Sequence, residues 1–342
     1  MKIEMAEAVG VRVGRSVPLA VAQAKVAGLE IILGYLGGIR NLLTAEDVDE
    51  VQMNAGGARV FTERKGVTRL EPVKLDSDSL YGSLKRIAIV AGQEINDDTW
   101  RLDCRFVGCR LSAVFPPVSP NGICVTIRKF ISARIEDLVA NNTLSASLAA
   151  RLRDEILARQ NILVSGATGS GKTVLASALA NVIPDRERIL LIEQPSEMEL
   201  RQPNVVYFEA LDPGPGGRAV TQWALLKQAL RAHPSRLIIG EIRGEEAGEL
   251  LALMNTGHSG TISTTHANSA GDALERFASL CRKADQDWPW EALRKQIAGN
   301  VNIVVHLRQR EEGVRYVSEA LRVEGYDAAG DLFMTSPLTG GK

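Results

Sequence analysis

Several absences narrow the chain before any motif is considered. No two of the four cysteines, Cys104, Cys109, Cys124 and Cys281, stand in a Cys-x-x-Cys spacing, so neither a zinc ribbon nor a disulfide scaffold is suggested, and reduced packing thiols are the plain reading. An excess of charge of one sign is missing too. With 40 basic against 41 acidic residues the net charge is −1, which removes the global electrostatic case for direct nucleic-acid binding. Aromatic residues reach only 5%, too few to suggest a base-stacking platform. The apolar stretch from Val26 to Ile39 is interrupted by Glu30 and by glycines and is too short to cross a bilayer. The first thirty residues mix charges with apolar side chains and lack the compact apolar core and cleavage site of a signal peptide. A cytoplasmic protein is expected. The same segment, with Arg12, Arg15 and Lys25, suits peripheral contact with a membrane, and suits equally an ordinary helix covering the first domain.

At 342 residues and 45% hydrophobic content the chain exceeds one ordinary hydrophobic core, so about two domains are expected. From Asp47 to Lys129 short β-type runs (VDEVQMN, ARVFTE, GVTRLE, CRFVGCRLSAVFPP and GICVTIRK) are broken by turn signals and by one helical stretch, Ser79 to Ala91. This is the pattern of a small α+β domain on a mainly antiparallel sheet. Because the strand-like ICVTIRK follows the proline and glycine cluster at 115–122, the boundary falls near Phe130. The expected organisation is a helical extension over 1–40, an α+β domain over 41–130, and a second domain with a C-terminal extension over 131–342.

Beyond Ile131 the grammar changes. NILVSG, RILLIE, RLIIGE and GTISTTH are short apolar runs of the kind buried on both sheet faces, with helical segments between them. Strands alternating with helices imply a doubly wound α/β domain with a mostly parallel sheet, whose ligands bind at the carboxyl ends of the strands.

The strongest signal is GATGSGKT: Gly166, Ala167, Thr168, Gly169, Ser170, Gly171, Lys172 and Thr173. It fits GxxxxGKT, follows a strand and opens a helix, which is the context a phosphate-binding P-loop requires. Its glycines let successive N–H groups turn toward phosphate oxygens, and the helix N-terminus completes the anion cradle. Lys172 is placed for the β- and γ-phosphates of ATP, and the Thr173 hydroxyl for Mg²⁺. A second strand should deliver acid to such a site, and RLIIGEIRG offers Glu241 either to polarise the attacking water or simply to end a strand at the surface. RILLIEQPSE supplies Glu193 and Glu197, either for waters around Mg²⁺ or as solvated loop charge. GTISTTHANS puts His266 just past a further strand, where an imidazole can change partners between a γ-phosphate and a carboxylate.

Taken in order, these four strings resemble the secretion-ATPase superfamily of type II secretion, type IV pili and type IV secretion. GATGSGKT resembles its Walker A, IEQPSE its Asp box, LIIGEIRG its Walker B and GTISTTHANS its His box. MNTGHSGTISTTHANS and SPNGICVTIRKF look closest to the type IV secretion and conjugal-transfer (TrbB-like) branch, with tight-adherence pilus assembly as a neighbouring reading. The resemblance implies a RecA-like ATPase domain and a homohexameric ring that serves inner-membrane components of a secretion or pilus machine. It also implies that Arg110 and Arg128 of the first domain reach the phosphates. One departure stands out: Gln194 occupies the place where the Asp box normally carries Asp, which keeps open a nucleotide-gated scaffold with little turnover.

Overall fold

The structure, a computed structural model, describes residues 32–338 apart from 65, 107, 131–132, 212–218 and 312. The charge-mixed segment expected to contact a membrane or cover the first domain lies almost wholly outside these residues. The chain divides into two compact units, 1–131 and 132–342.

Unit 1 opens with the short helix α1 (Arg40–Thr44) and continues through β1 (Val48–Asn54), β2 (Arg59–Arg64), β3 (Val67–Glu71), α2 (Ser77–Val90), β4 (Arg101–Phe106), β5 (Cys109–Val114) and β6 (Cys124–Lys129). Its six strands form one sheet in the order β3-β2-β1-β6-β5-β4, with every pair antiparallel. The Asp76 side chain accepts from the Ser79 N–H and so caps α2, whose Leu80, Leu84 and Ile87 are buried at helical spacing. Burial of that stripe stabilises the unit by roughly 2 kcal/mol per side chain. In β5, Cys109, Leu111 and Ala113 turn inward while Arg110, Ser112 and Val114 turn outward, the alternation of a sheet covered on one face. Ile32, Leu33, Leu36 and Ile39 belong to this same core. The described end of the expected extension is therefore built into unit 1.

Unit 2 runs α3 (Ile135–Ala140), α4 (Ala146–Leu157), β7 (Ile162–Gly166), α5 (Lys172–Ala180), β8 (Ile189–Glu193), β9 (Val205–Glu209), α6 (Gln222–Ala229), β10 (Arg236–Ile239), α7 (Glu246–Asn255), β11 (Ile262–Thr265), α8 (Ala270–Ala284), α9 (Trp290–Asn300), β12 (Ile303–Gln309), β13 (Arg315–Asp327) and β14 (Leu332–Pro337). One sheet in the order β14-β13-β12-β7-β11-β10-β8-β9 collects all eight strands. Six of them pair in parallel, and β13 and β14 extend the sheet antiparallel. Successive residues of β7 serve opposite cores: Ile162 and Val164 pack with α3, α4 and α5, whereas Leu163 packs with α7, α8 and α9. That double burial makes β7, β8, β10 and β11 wholly buried runs. Their carboxyl ends carry Gly166, Glu193, Glu241 and His266 to one edge of the sheet.

Candidate active site

The chain leaves β7 at Gly166, where an added Cβ would stand 2.5 Å from Ser170 Oγ and 2.6 Å from the Leu307 carbonyl. No other residue fits there. The loop then curls into α5 through Gly171 at φ +93°, a left-handed conformation that side chains other than glycine seldom adopt. The first N–H groups of α5 have no partner within the helix, and its dipole favours an anion before Lys172. Ser170 is buried and its Oγ makes no hydrogen bond. The loop offers N–H groups, hydroxyls and one ammonium, a set that suits a phosphate.

Lys172 is only 7% exposed. Its Nζ donates to the carbonyls of Gly166 at 3.0 Å and Ala167 at 2.8 Å. Burial, only partly offset by Glu241, lowers its pKa to about 8. The same Nζ lies 3.3 Å from His266 Nδ1, and His266 Nε2 lies 2.9 Å from Glu241 Oε1. An ammonium can only donate, so Nδ1 accepts and the imidazole proton sits on Nε2, facing the carboxylate. Burial and the neighbouring Lys172 keep the His266 pKa below its ordinary value, so the ring is neutral near pH 7. Burial opposes ionisation of Glu241 too, but Arg243 Nη2, which donates to Oε2 at 2.7 Å, and the charge of Lys172 hold the carboxyl below its usual range. Glu241 Oε1 makes no aligned hydrogen bond, so an ionised acceptor is left on the His266 side of the site.

Residues 99–313, more than half of the chain, match the family described as "Type II/IV secretion system protein". The chain is 31% identical to the conjugal transfer protein TrbB of Rhizobium radiobacter over 82% of its own length and 84% of that protein. It is 32% identical to the type IV secretion system protein PtlH of Bordetella pertussis over 81% of its length and 90% of that protein. The chain belongs to the type II/IV secretion system protein family. Its fold is shared with the ATPase DotB of Legionella pneumophila, with a TM-score of 0.57 at 19% identity over 83% of this chain and 79% of that one.

Within this secretion-system protein the two carboxylates of the Asp box have different surroundings. Glu193 is 2% exposed, and its oxygens accept from the N–H groups of Glu197 at 3.0 Å and Met198 at 3.1 Å. Burial nevertheless pushes its pKa up to about 7. Gly240, which precedes Glu241, would place a Cβ 2.7 Å from Glu193 Cγ, so the glycine makes room for the Glu193 side chain. Glu197 is half-buried, and its charge acts on Arg243. Thr264 Oγ1 donates to the Gly240 carbonyl at 2.6 Å and holds the turn that carries Glu241.

Arg128 and Arg110 lie in unit 1, side by side in register on β6 and β5, and Arg105 of β4 is opposite Arg110. Arg128 Nε donates to the buried carboxylate of Glu50 at 2.9 Å, and Arg110 approaches Asp103 at 3.5 Å. Three residues near the phosphate loop escaped the sequence reading. Arg243 was inside a quoted string but had no assigned part. His306 shares a buried hydrogen bond with Ser165 Oγ at 2.9 Å, and Arg315 Nε donates to the Gly169 carbonyl at 2.9 Å. The last two come from strands whose approach to the loop no local pattern announces.

Proposed function

We propose that this protein hydrolyses ATP as the motor of a type IV secretion or conjugal-transfer machine, acting as a homohexamer that engages inner-membrane components at the cytoplasmic face. The observation that carries the reading is the unbroken set of contacts from Lys172 through His266 to Glu241 and Arg243, which joins the phosphate loop to an ionised carboxylate. The conjugal-transfer and type IV secretion names of TrbB and PtlH support the choice of machine.

In this reading the loop N–H groups and Lys172 hold the β- and γ-phosphates, and a bound phosphate raises the lysine pKa that burial lowers. Thr173 at the start of α5, with phosphate oxygens and water, holds Mg²⁺, which neutralises developing charge on the phosphoryl oxygens. Glu241 orients the attacking water and takes its proton. His266 follows the γ-phosphate by exchanging Lys172 and Glu241 for new partners as the nucleotide changes. Glu193 is a positioning residue that seats the 196–198 turn, while Glu197 stays at the site with Arg243. In the same reading Arg110 and Arg128 are further phosphate-binding cations.

A nucleotide-gated scaffold is the second reading, favoured by Gln194 and by the commitment of Glu193 to backbone N–H groups. Steady-state ATPase assays of the full chain and of Glu241→Gln, with mass determination in ATP and without it, separate the two. Turnover in a hexamer that Glu241→Gln lowers at least about 100-fold, with ATP binding retained, supports the motor. A ring that binds ATP and turns over no faster than the variant supports the scaffold.

A further inference from the structure

Four neighbouring strands of the unit 2 sheet place polar side chains at one level. Thr265 of β11 stands opposite Ser165 of β7, Ser165 opposite His306 of β12, and His306 opposite Glu319 of β13. Thr265, Ser165 and His306 are buried. Leu163 and Val304, two residues earlier on β7 and β12, pack with α7, α8 and α9, so Ser165 and His306 point to that face. A histidine buried in an otherwise apolar sheet must find partners for both ring nitrogens. Its Nδ1 is 2.9 Å from Ser165 Oγ, and the ring also donates to the Asn268 carbonyl. The donating nitrogen is therefore Nε2. Burial keeps the ring's pKa below its ordinary value, so Nδ1 is unprotonated near pH 7 and accepts from the Ser165 hydroxyl.

Asn268 belongs to the short turn, 266–269, that links β11 to α8 and carries His266. The far end of this turn is held from β12 and β13 as well. Glu319 Oε2 accepts from the Ala270 N–H at 3.1 Å, which puts an anion on the first N–H of α8, where the helix dipole favours it. Arg308 Nη2 lies 3.4 Å from the Asn268 carbonyl and 3.7 Å from Glu319 Oε1. At the near end, Thr265 is fixed by its pairing with Ser165. Between these anchors the His266 imidazole stands 3.3 Å from Lys172 Nζ and 2.9 Å from Glu241 Oε1.

We propose that His306 is a positioning residue for ATP hydrolysis: with Glu319 it pins the backbone at 268–270, so that His266 meets Lys172, Glu241 and the phosphate by turning its ring in place. The inference rests on the nucleotide reading above. Ser165 immediately precedes Gly166, so one imidazole ties the strand that feeds the phosphate loop to the turn that carries His266. A side chain that must exchange partners within a site needs a backbone that stays put, because a displacement of about 1 Å costs as much as the loss of a contact. The bland alternative is that His306 only fills and satisfies the sheet. It predicts a loss of stability with no dependence on His266.

The test measures turnover against ATP concentration in the full chain for the wild type, His306→Leu, His306→Gln, Glu319→Ala, His266→Ala and the double variant His266→Ala with His306→Leu. Thermal midpoints and hydrogen exchange of the Ala270 amide are measured alongside. His306→Leu is expected to lower kcat about tenfold or more while KM for ATP stays within about threefold. His306→Gln should recover most of that loss, because a carboxamide can donate to Asn268 and accept from Ser165. Turnover of the double variant should match that of His266→Ala, since an anchor has nothing left to position once the imidazole is gone. If His306→Leu fails to fold, Glu319→Ala carries the test from the half-buried end of the clasp, and it too should lower kcat with KM held. A kcat within about twofold of wild type in both variants overturns the proposal, as does a fall in midpoint with turnover of the folded fraction unchanged. Losses that multiply in the double variant also overturn it, by placing the effect of His306 on the phosphate loop through Ser165. A wild type that binds ATP without turning it over sinks the motor reading, and amide exchange then decides the anchor. Exchange of the Ala270 amide about tenfold faster in His306→Leu supports it, and exchange at the wild-type rate overturns it.

Discussion

The two sheets solve the same packing problem in opposite ways. Unit 1 covers one face, so β4, β5 and β6 alternate, and their outward residues at one level form a row: Glu63, Glu50, Arg128, Arg110 and Arg105 on five neighbouring strands. Unit 2 covers both faces of its parallel strands, so no side chain of β7, β8, β10 or β11 is left to solvent. Chemistry in unit 1 can therefore sit on the middle of a strand. In unit 2 it can sit only where strands end, and there each charged group must be held by a neighbour or be pushed toward its neutral form.

The sharpest way to break that contrast is to remove the one ammonium of the phosphate loop. Lys172→Ala should cut nucleotide affinity by more than about 100-fold, since a buried charge-assisted phosphate contact is lost. Equilibrium binding of an ADP derivative measures it, and affinity within tenfold of wild type would take Lys172 out of the site. The pH dependence of stability comes next. The Glu193 carboxyl is raised from an ordinary 4.5 to about 7, so the folded chain binds more protons than the unfolded one between those values. Its stabilising contribution is complete below pH 4.5 and is lost as pH rises through 7, by an amount on the order of 3 kcal/mol at most. Denaturant midpoints at pH 5 and pH 7.5 should differ more in the wild type than in Glu193→Gln. Equal differences would mean that Glu193 keeps an ordinary pKa.

Gly240→Ala sharpens the comparison at a position where the cost is purely steric. Its Cβ meets a Glu193 side chain that two backbone N–H groups hold in place, so the expected loss is about 2 kcal/mol, typical of overpacking in a tight core. The double variant with Glu193→Ala should lose less than the two single losses combined, because the clash is then gone. Strict additivity would show that the two residues do not share the space.

Much of unit 2 was legible because of this double burial. NILVSG, RILLIE, RLIIGE and GTISTTH read as strands since each is an apolar run ending in a glycine, an acid or a histidine, and the phosphate motif fixed the edge where they converge. Gly240 lay inside the quoted RLIIGEIRG, but the reason for a glycine there is a side chain on another strand. β12 to β14 went unread. β13 is mostly half-buried along its whole length, which gives neither a buried run nor a clean alternation, and the contact of Arg315 with Gly169 depends on register between strands far apart in sequence. In unit 1 the strands were legible from alternation. The packing of Ile32, Leu33 and Leu36 into its core was not, because an apolar stretch with glycines reads the same inside a domain as ahead of one.

The smallest expected effect on stability falls on unit 1 and carries the most information about function. Arg128 is half-exposed and pairs with a buried Glu50, and like charges directly opposite one another on neighbouring strands destabilise a sheet by a few tenths of a kcal/mol. Arg128→Ala removes one such neighbour from Arg110 but strips a cation from Glu50, which keeps the Gln52 amide as a donor at 2.7 Å. These effects oppose, so the thermal midpoint should move by the equivalent of about 1 kcal/mol or less. Turnover should fall about tenfold or more if the row of arginines exists to meet phosphate, because a charge-assisted contact is then lost from the transition state. A large drop in midpoint with turnover unchanged in the folded fraction would make the Arg128–Glu50 pair a structural clamp. The outward face of unit 1 would then be surface rather than site.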